Sequence, residues 1–143
     1  MTTIRLTMAQ ALVRFLASQN SEIDGREYPL FAGVFAIFGH GNVAGLGEAL
    51  YGARERLPTL RAHNEQAMAL AAVAFAKASG RRRMMACTSS IGPGATNMVT
   101  AAAVAHANRL PVLLLPGDTF CWTSARPGLA ADRGVRQPDH LGQ

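Results

Sequence analysis

Three short apolar runs set the limits on what this chain can fold into. They are Gly33-Val34-Phe35-Ala36-Ile37-Phe38, Arg83-Met84-Met85-Ala86-Cys87-Thr88 and Pro111-Val112-Leu113-Leu114-Leu115-Pro116. A strand with one wet face alternates apolar and polar residues, whereas a continuously apolar strand is buried on both faces. Leu57 to Ala62 offers a further short strand, and segments of helical length lie between the runs. Strands alternating with helices in this way indicate a parallel sheet. The expected fold is therefore α/β, a three-layer parallel sheet with helices on both faces, truncated on its C-terminal side.

The helices can be read from their ends. Thr7-Met8-Ala9-Gln10 forms a capping box, and Leu12, Val13, Phe15 and Leu16 follow as an apolar stripe. This makes the acid-free N-terminus an ordinary first helix rather than a targeting peptide. Ser21 to Tyr28 is polar and reads as a loop. Further helices are expected from Val43 to Arg54, from Glu65 to the terminating Gly80, and from Ala95 to Ala107. Beyond Phe120 all periodicity is lost. The expected organisation is a single domain over 1–120 and an irregular tail over 121–143.

Composition removes several classes of function. With 49% hydrophobic and 16% charged residues, the chain is not of the disordered type. Its net charge of +5 comes from 13 Arg and one Lys against nine acids. The one basic cluster, Arg81-Arg82-Arg83, lacks the interleaved aromatics of a stacking platform and reads as a solvated loop before a strand. Cys87 and Cys121 make neither a disulfide framework nor a metal-ligand spacing. Gly92-Pro93-Gly94 interrupts the uncharged stretch from Met84 to Ala105, so it is no membrane span. A cytoplasmic protein is expected, with no metal ligands of its own and neither nucleic acid nor membrane as partner.

Ligands of open parallel sheets bind outside the carboxyl ends of the strands. Three loops occupy those ends: Gly39 to Asn42, Ala62 to Gln66, and Ser89 to Asn97. In the first, Gly39, Gly41 and Gly45 make a loose dinucleotide fingerprint that serves equally as a tight turn. Glu55, the nearest acid for a ribose, precedes the second strand instead of ending it. The third loop places hydroxyls and glycines at a helix start, where backbone N–H groups can cradle a polar ligand. In the second, Glu65 opens an Ala-rich helix apolar on every side, and such a helix is expected to be buried. An acid there needs a partner or carries a raised pKa.

Together, His63-Asn64-Glu65-Gln66, the Ala-rich helix and Gly92-Pro93-Gly94-Ala95-Thr96-Asn97 resemble a known family. It is the pyrimidine-binding domain of thiamine-diphosphate-dependent enzymes of the acetolactate synthase type. Asn64 between His and Glu, and Ile91 in the third loop, depart from the general pattern. With Phe38-Gly39-His40-Gly41-Asn42 and Leu113 to Phe120, they look most like the trihydroxycyclohexanedione hydrolase subgroup, ring-opening enzymes of inositol catabolism.

The resemblance implies that Glu65 is the catalytic residue, bonding the cofactor's aminopyrimidine and relaying the proton that activates it. It implies cofactor contacts from Glu65, Gly41, Gly92 and Asn97. His40 and His63 are candidates for contact with substrate or cofactor or for structural histidines, and Asp118, after a strand end, reads as a turn residue sooner than a functional one. The cofactors implied are thiamine diphosphate and Mg²⁺, the latter held by a Gly-Asp-Gly domain that has no counterpart here. The implied partners are a homo-oligomer or a diphosphate-domain-bearing chain, and a small-molecule substrate. The implied function is that of the N-terminal part of a hydrolase cleaving a carbon–carbon bond in a cyclic 1,2-diketone of myo-inositol catabolism. Such a part is inactive alone: a fragment or, less expected, one half of a split enzyme. An acetolactate synthase-like carboligase or decarboxylase, and a non-catalytic nucleotide-binding module, are the alternatives.

Overall fold

A computed structural model of the chain describes residues 3–39 and 42–117. The expectations placed on His40, Gly41, Asp118 and the 121–143 tail lie outside the described residues. The apolar runs form one sheet of four strands: β3 (Phe31–Ala36), β4 (Thr59–Arg61), β5 (Met84–Ser89) and β6 (Leu113–Pro116). Their order is β4-β3-β5-β6, and every pair is parallel. From β3 the chain goes to one side for β4, then crosses to the other side for β5 and β6. The order of connections therefore reverses between β3 and β5.

Both faces are covered, as expected. On one lie α1 (Met8–Ser18), a π-helical turn (Val43–Gly47) and α2 (Glu48–Gly52). Val13, Leu16, Leu50 and Leu57 meet Phe31, Val34 and Ala86 of the sheet there. On the other lie α3 (Glu65–Ala78), a one-turn α4 (Pro93–Thr96) and α5 (Val99–Asn108). Met68, Ala69, Ala72, Met98 and Ala101 pack against Met85 and Cys87 there. β5 thus sends Met85 and Cys87 to one core and Ala86 to the other, which is why its sequence shows no alternation. Phe31 and Val34 share a face despite odd spacing, because the β3–β5 register shifts between them. Each fully buried Leu contributes about 1.5–3 kcal/mol, so Leu50 and Leu57 anchor their layer.

Local chemistry sets the element ends. The capping box of α1 is complete: Gln10 N donates to Thr7 Oγ1 at 3.2 Å, and Thr7 N donates to Gln10 Oε1 at 3.0 Å. Asn64 is the N-cap of α3, its Oδ1 accepting from Ala67 N at 2.8 Å. That accounts physically for the residue standing between His63 and Glu65. At the other end Gly80 adopts φ +60°. Gly80 N donates to Lys77 O, and Arg81 N donates to Ala76 O. This is the paired closure of a Schellman motif.

The structure divides the helix expected from Ala95 to Ala107 into α4 and α5, with Asn97 and Met98 between them, and corrects three further readings. Ser21 to Tyr28 is not a loop but the body of an antiparallel hairpin, β1 (Asn20–Ile23) and β2 (Arg26–Pro29). Its turn residues Asp24 and Gly25 both have positive φ, as a type I′ turn requires. The strands are exposed and polar, so no hydrophobic pattern announces them. Second, α3 is not buried all round: Met68, Ala69, Ala72, Val73 and Ala76 are covered, while Ala67, Leu70, Ala71 and Ala74 face outward. Third, Phe15 leaves the α1 stripe and is 60% exposed.

The three consecutive arginines each have an intrachain role. Arg81 donates to the carbonyls of Asn108 and Arg109 at the end of α5, and Arg83 donates to Pro29 O at 2.9 Å. Arg82 reaches Asp24 of the hairpin turn at 3.9 Å. The cluster ties the hairpin and α5 to the body of the domain.

Candidate functional site

Two of the three strand-end loops converge on Glu65. As the first residue of α3, its carboxylate lies at the positive end of that helix. Asn97 Nδ2 donates to Glu65 Oε2 at 2.9 Å; among the described residues it is the carboxylate's one hydrogen-bond partner. Thus the acid is accommodated by a partner, brought in by the third loop. That loop reaches it through a defined path. Gly92, at φ +59°, turns the chain into Pro93, which starts α4. Gly92 O then accepts from Thr96 N and from Thr96 Oγ1. One turn later Asn97 faces Glu65.

Gly94 completes the pair's surroundings. A Cβ on it would stand 3.1 Å from Glu65 Oε1 and 3.4 Å from the Ser90 Cβ. The carboxylate therefore uses the room that a side chain would take. Glu65, Pro93, Gly94, Thr96 and Asn97 line an open cleft of about 520 Å³. Of the expected cofactor residues, Glu65 and Asn97 meet there. Gly92 sits at the turn behind them, and Gly41 lies outside the described residues. His63 is exposed just before the N-cap of α3. Gly94 and Thr96, to which the resemblance assigns no role, stand three residues and one residue before Asn97 in the same wall.

The first loop behaves differently. The crevice between β3 and β5, where the connections reverse, is where a nucleotide settles in folds of this kind. Here it is filled. Asn42 Nδ2 donates to Thr88 Oγ1 at 3.0 Å and to Ser89 O at 2.8 Å. A Cβ on Gly39 would collide with the Ser90 side chain. Glu55 is exposed and lies 3.8 Å from Arg54. Among the described residues, Gly39 is closed against Ser90 and Glu55 is turned to solvent, so neither supports a dinucleotide reading.

Cys87, behind the site, is no nucleophile. It is fully buried in the α3–α5 core, and burial pushes its thiol up to about 12. Among the described residues no group of three His, Cys, Asp or Glu is placed to hold a metal ion, and no helix is long and apolar enough to cross a membrane.

Residues 31–137 match the family described as thiamine pyrophosphate enzyme, N-terminal TPP binding domain. The chain belongs to that family. Over 129 residues, 90% of its length, it is 57% identical to the 3D-(3,5/4)-trihydroxycyclohexane-1,2-dione hydrolase of Clostridium tetani (strain Massachusetts / E88). The hydrolases of the same name from Geobacillus thermodenitrificans (strain NG80-2) and Bacillus thuringiensis (strain Al Hakam) are 57% and 54% identical over the same share. These alignments cover 20% of each relative, so the chain spans about a fifth of the length of the curated relatives it matches.

The site residues suit the pyrimidine half of thiamine pyrophosphate. One carboxylate oxygen of Glu65 is held by Asn97, leaving Oε1 at the Gly94 surface. A flat heteroaromatic ring with a basic nitrogen is the kind of group that such an oxygen, in a wall kept low by glycine, can take. No cation-rich cradle for a diphosphate accompanies it among the cleft's lining residues.

Proposed function

We propose that this chain provides the pyrimidine-binding part of a thiamine-diphosphate-dependent hydrolase that opens a cyclic 1,2-dione of myo-inositol catabolism by carbon–carbon cleavage. The observation that carries the reading is the Glu65–Asn97 pair against Gly94, in a chain of this family. The hydrolase names of the relatives supply the substrate class. Thiamine diphosphate, when bound, supplies the carbanion stabilisation that carbon–carbon cleavage needs and that no side chain offers.

The chain's own residues bind and orient. Glu65 presents a carboxylate to a ring nitrogen and exchanges a proton with it. Asn97 fixes the carboxylate's other oxygen, so that Oε1 keeps its direction. Gly94 permits close approach. The diphosphate and its Mg²⁺ belong to another domain, from a second copy of a longer chain or from a separate diphosphate-domain-bearing chain. The outward alanines of α3, with Val99 and Val104 of α5 at 61% and 36% exposure, favour such an association, because small side chains let another backbone come close. The setting proposed is cytoplasmic.

The test is a chimera in which this chain replaces the matching fifth of the Clostridium tetani hydrolase. Turnover of the cyclic dione is expected, and Glu65→Gln should lower kcat by about 10²–10⁴, the usual contribution of a positioned proton-transfer group. Full turnover by the Gln variant would remove Glu65 from the mechanism. Acetolactate formation without dione hydrolysis would transfer the chain to the carboligase branch.

A further inference from the structure

The side chain of Asn42 is unexplained by cofactor contact, yet it is one of the few polar groups committed across the sheet's carboxyl edge. Its Nδ2 bonds both Thr88 Oγ1 and Ser89 O. Thr88 and Ser89 are fully buried. Ser89 O also accepts from Gly117 N at 2.8 Å, and a Cβ on Gly117 would stand 3.0 Å from Asn42 Oδ1. One carboxamide therefore meets the ends of β5 and β6 from the segment that follows β3.

The next contacts lead to the site. Ser90 follows Ser89 directly, and its side chain is wedged between two glycines. On one side it occupies the space of a Gly39 side chain; on the other its Cβ limits the Gly94 surface. Gly94 in turn abuts Glu65 Oε1, and three residues on Asn97 holds Oε2. Ser89 O is the meeting point, accepting from the Asn42 side chain and from Gly117 N at once. Of these two donors, Asn42 is the one that links this strand end to the segment after β3.

We propose that Asn42 is a positioning residue for the Glu65–Asn97 pair: it fixes the Ser89–Ser90 end of β5, and through Gly94 the orientation of the carboxylate. The inference rests on the preceding reading only in taking this pair as the site; its test needs no cofactor and no turnover.

The test reads the side-chain amide resonance of Asn97 by ¹H–¹⁵N spectroscopy on the 143-residue chain. Glu65→Ala marks the unbonded position of that signal. Asn42→Ala and Asn42→Ser should each move it at least half of the way there. Thr88→Val, which removes one acceptor but keeps the bond to Ser89 O, should leave it within a tenth of the wild-type position. Thr7→Ala, a capping loss on α1 across the sheet from Glu65, serves as the control for general destabilisation and should also leave it in place. A stationary Asn97 signal in folded Asn42 variants overturns the proposal, as does an equal movement in Thr7→Ala. Loss of the whole dispersed spectrum in both Asn42 variants would assign the residue to the fold and overturn it too. Absence of thiamine diphosphate binding in the chimera would defeat the functional reading and leave this result standing.

Discussion

Gly94→Ala separates the site from the fold. The added methyl would lie 3.1 Å from Glu65 Oε1 and 3.4 Å from the Ser90 Cβ, so the carboxylate must retreat by a few tenths of an ångström. The Asn97 bond, 2.9 Å long, starts near the best N–H···O length, and the same retreat takes it toward the upper limit of about 3.2 Å. A hydrogen bond to a charged group contributes about 1.5–3 kcal/mol. This carboxylate is only half-buried, so weakening its bond costs about 1 kcal/mol. Against that, alanine narrows the unfolded ensemble and returns about 0.4–1 kcal/mol. The two nearly cancel, and thermal melts should place Tm within about 4 °C of wild type. The chimera, by contrast, should bind thiamine diphosphate about tenfold more weakly, equivalent to about 1.4 kcal/mol. Unchanged affinity would show that Oε1 does not face the ligand. A stability loss above about 3 kcal/mol would mean that the methyl strikes something less yielding than the carboxylate.

Two further predictions concern the cores. Burial raises the Cys87 thiol from the ordinary 9.0 to about 12, so in a Cys121→Ser background a disulfide reagent at pH 8 should label native protein about 10³-fold more slowly than a free thiol. Because the unfolded thiol ionises first, stability should hold below pH 9 and fall progressively between 9 and 12. Urea midpoints across that range, compared with Cys87→Ala, check the sign, and identical profiles would refute it. Leu57→Ala empties a fully buried position beside β4 and should cost about 2–5 kcal/mol in urea unfolding; a loss below 1 kcal/mol would show that the α1–α2 layer collapses freely onto the gap.

Legibility in the sequence followed the source of each signal. The runs at β3, β5 and β6 are buried on both faces, so their apolar character alone gave the parallel sheet. Their bounds moved by one or two residues because the strand pairing, not the apolar run, decides where a strand stops. The capping box at Thr7 and the glycine end at Gly80 are local hydrogen-bond chemistry and were readable residue by residue. The β1–β2 hairpin was not, since its strands bury almost nothing and only the Asp24-Gly25 turn marks it. Glu65 and Asn97 were legible through the resemblance, whereas their meeting depends on the path from Gly92 through α4. Asn42 had no signal of its own: its partners are 46 and 47 residues away, and only the closeness of β3 to β5 joins them. Alanine content pointed to a buried α3, but content does not say what covers the second face.

Gly39, Gly94 and Gly117 share a property that bears on how this edge can change over generations. Beside each, the volume of a missing methyl is already taken by a polar side chain: Ser90, Glu65 and Asn42 respectively. Substitutions here are therefore lopsided. Shortening a polar neighbour leaves space that water or a ligand atom can enter, whereas any residue larger than glycine evicts a group that another group depends on. Variation at this end of the sheet should run through the polar partners first, with the three glycines following only after their neighbours have made room.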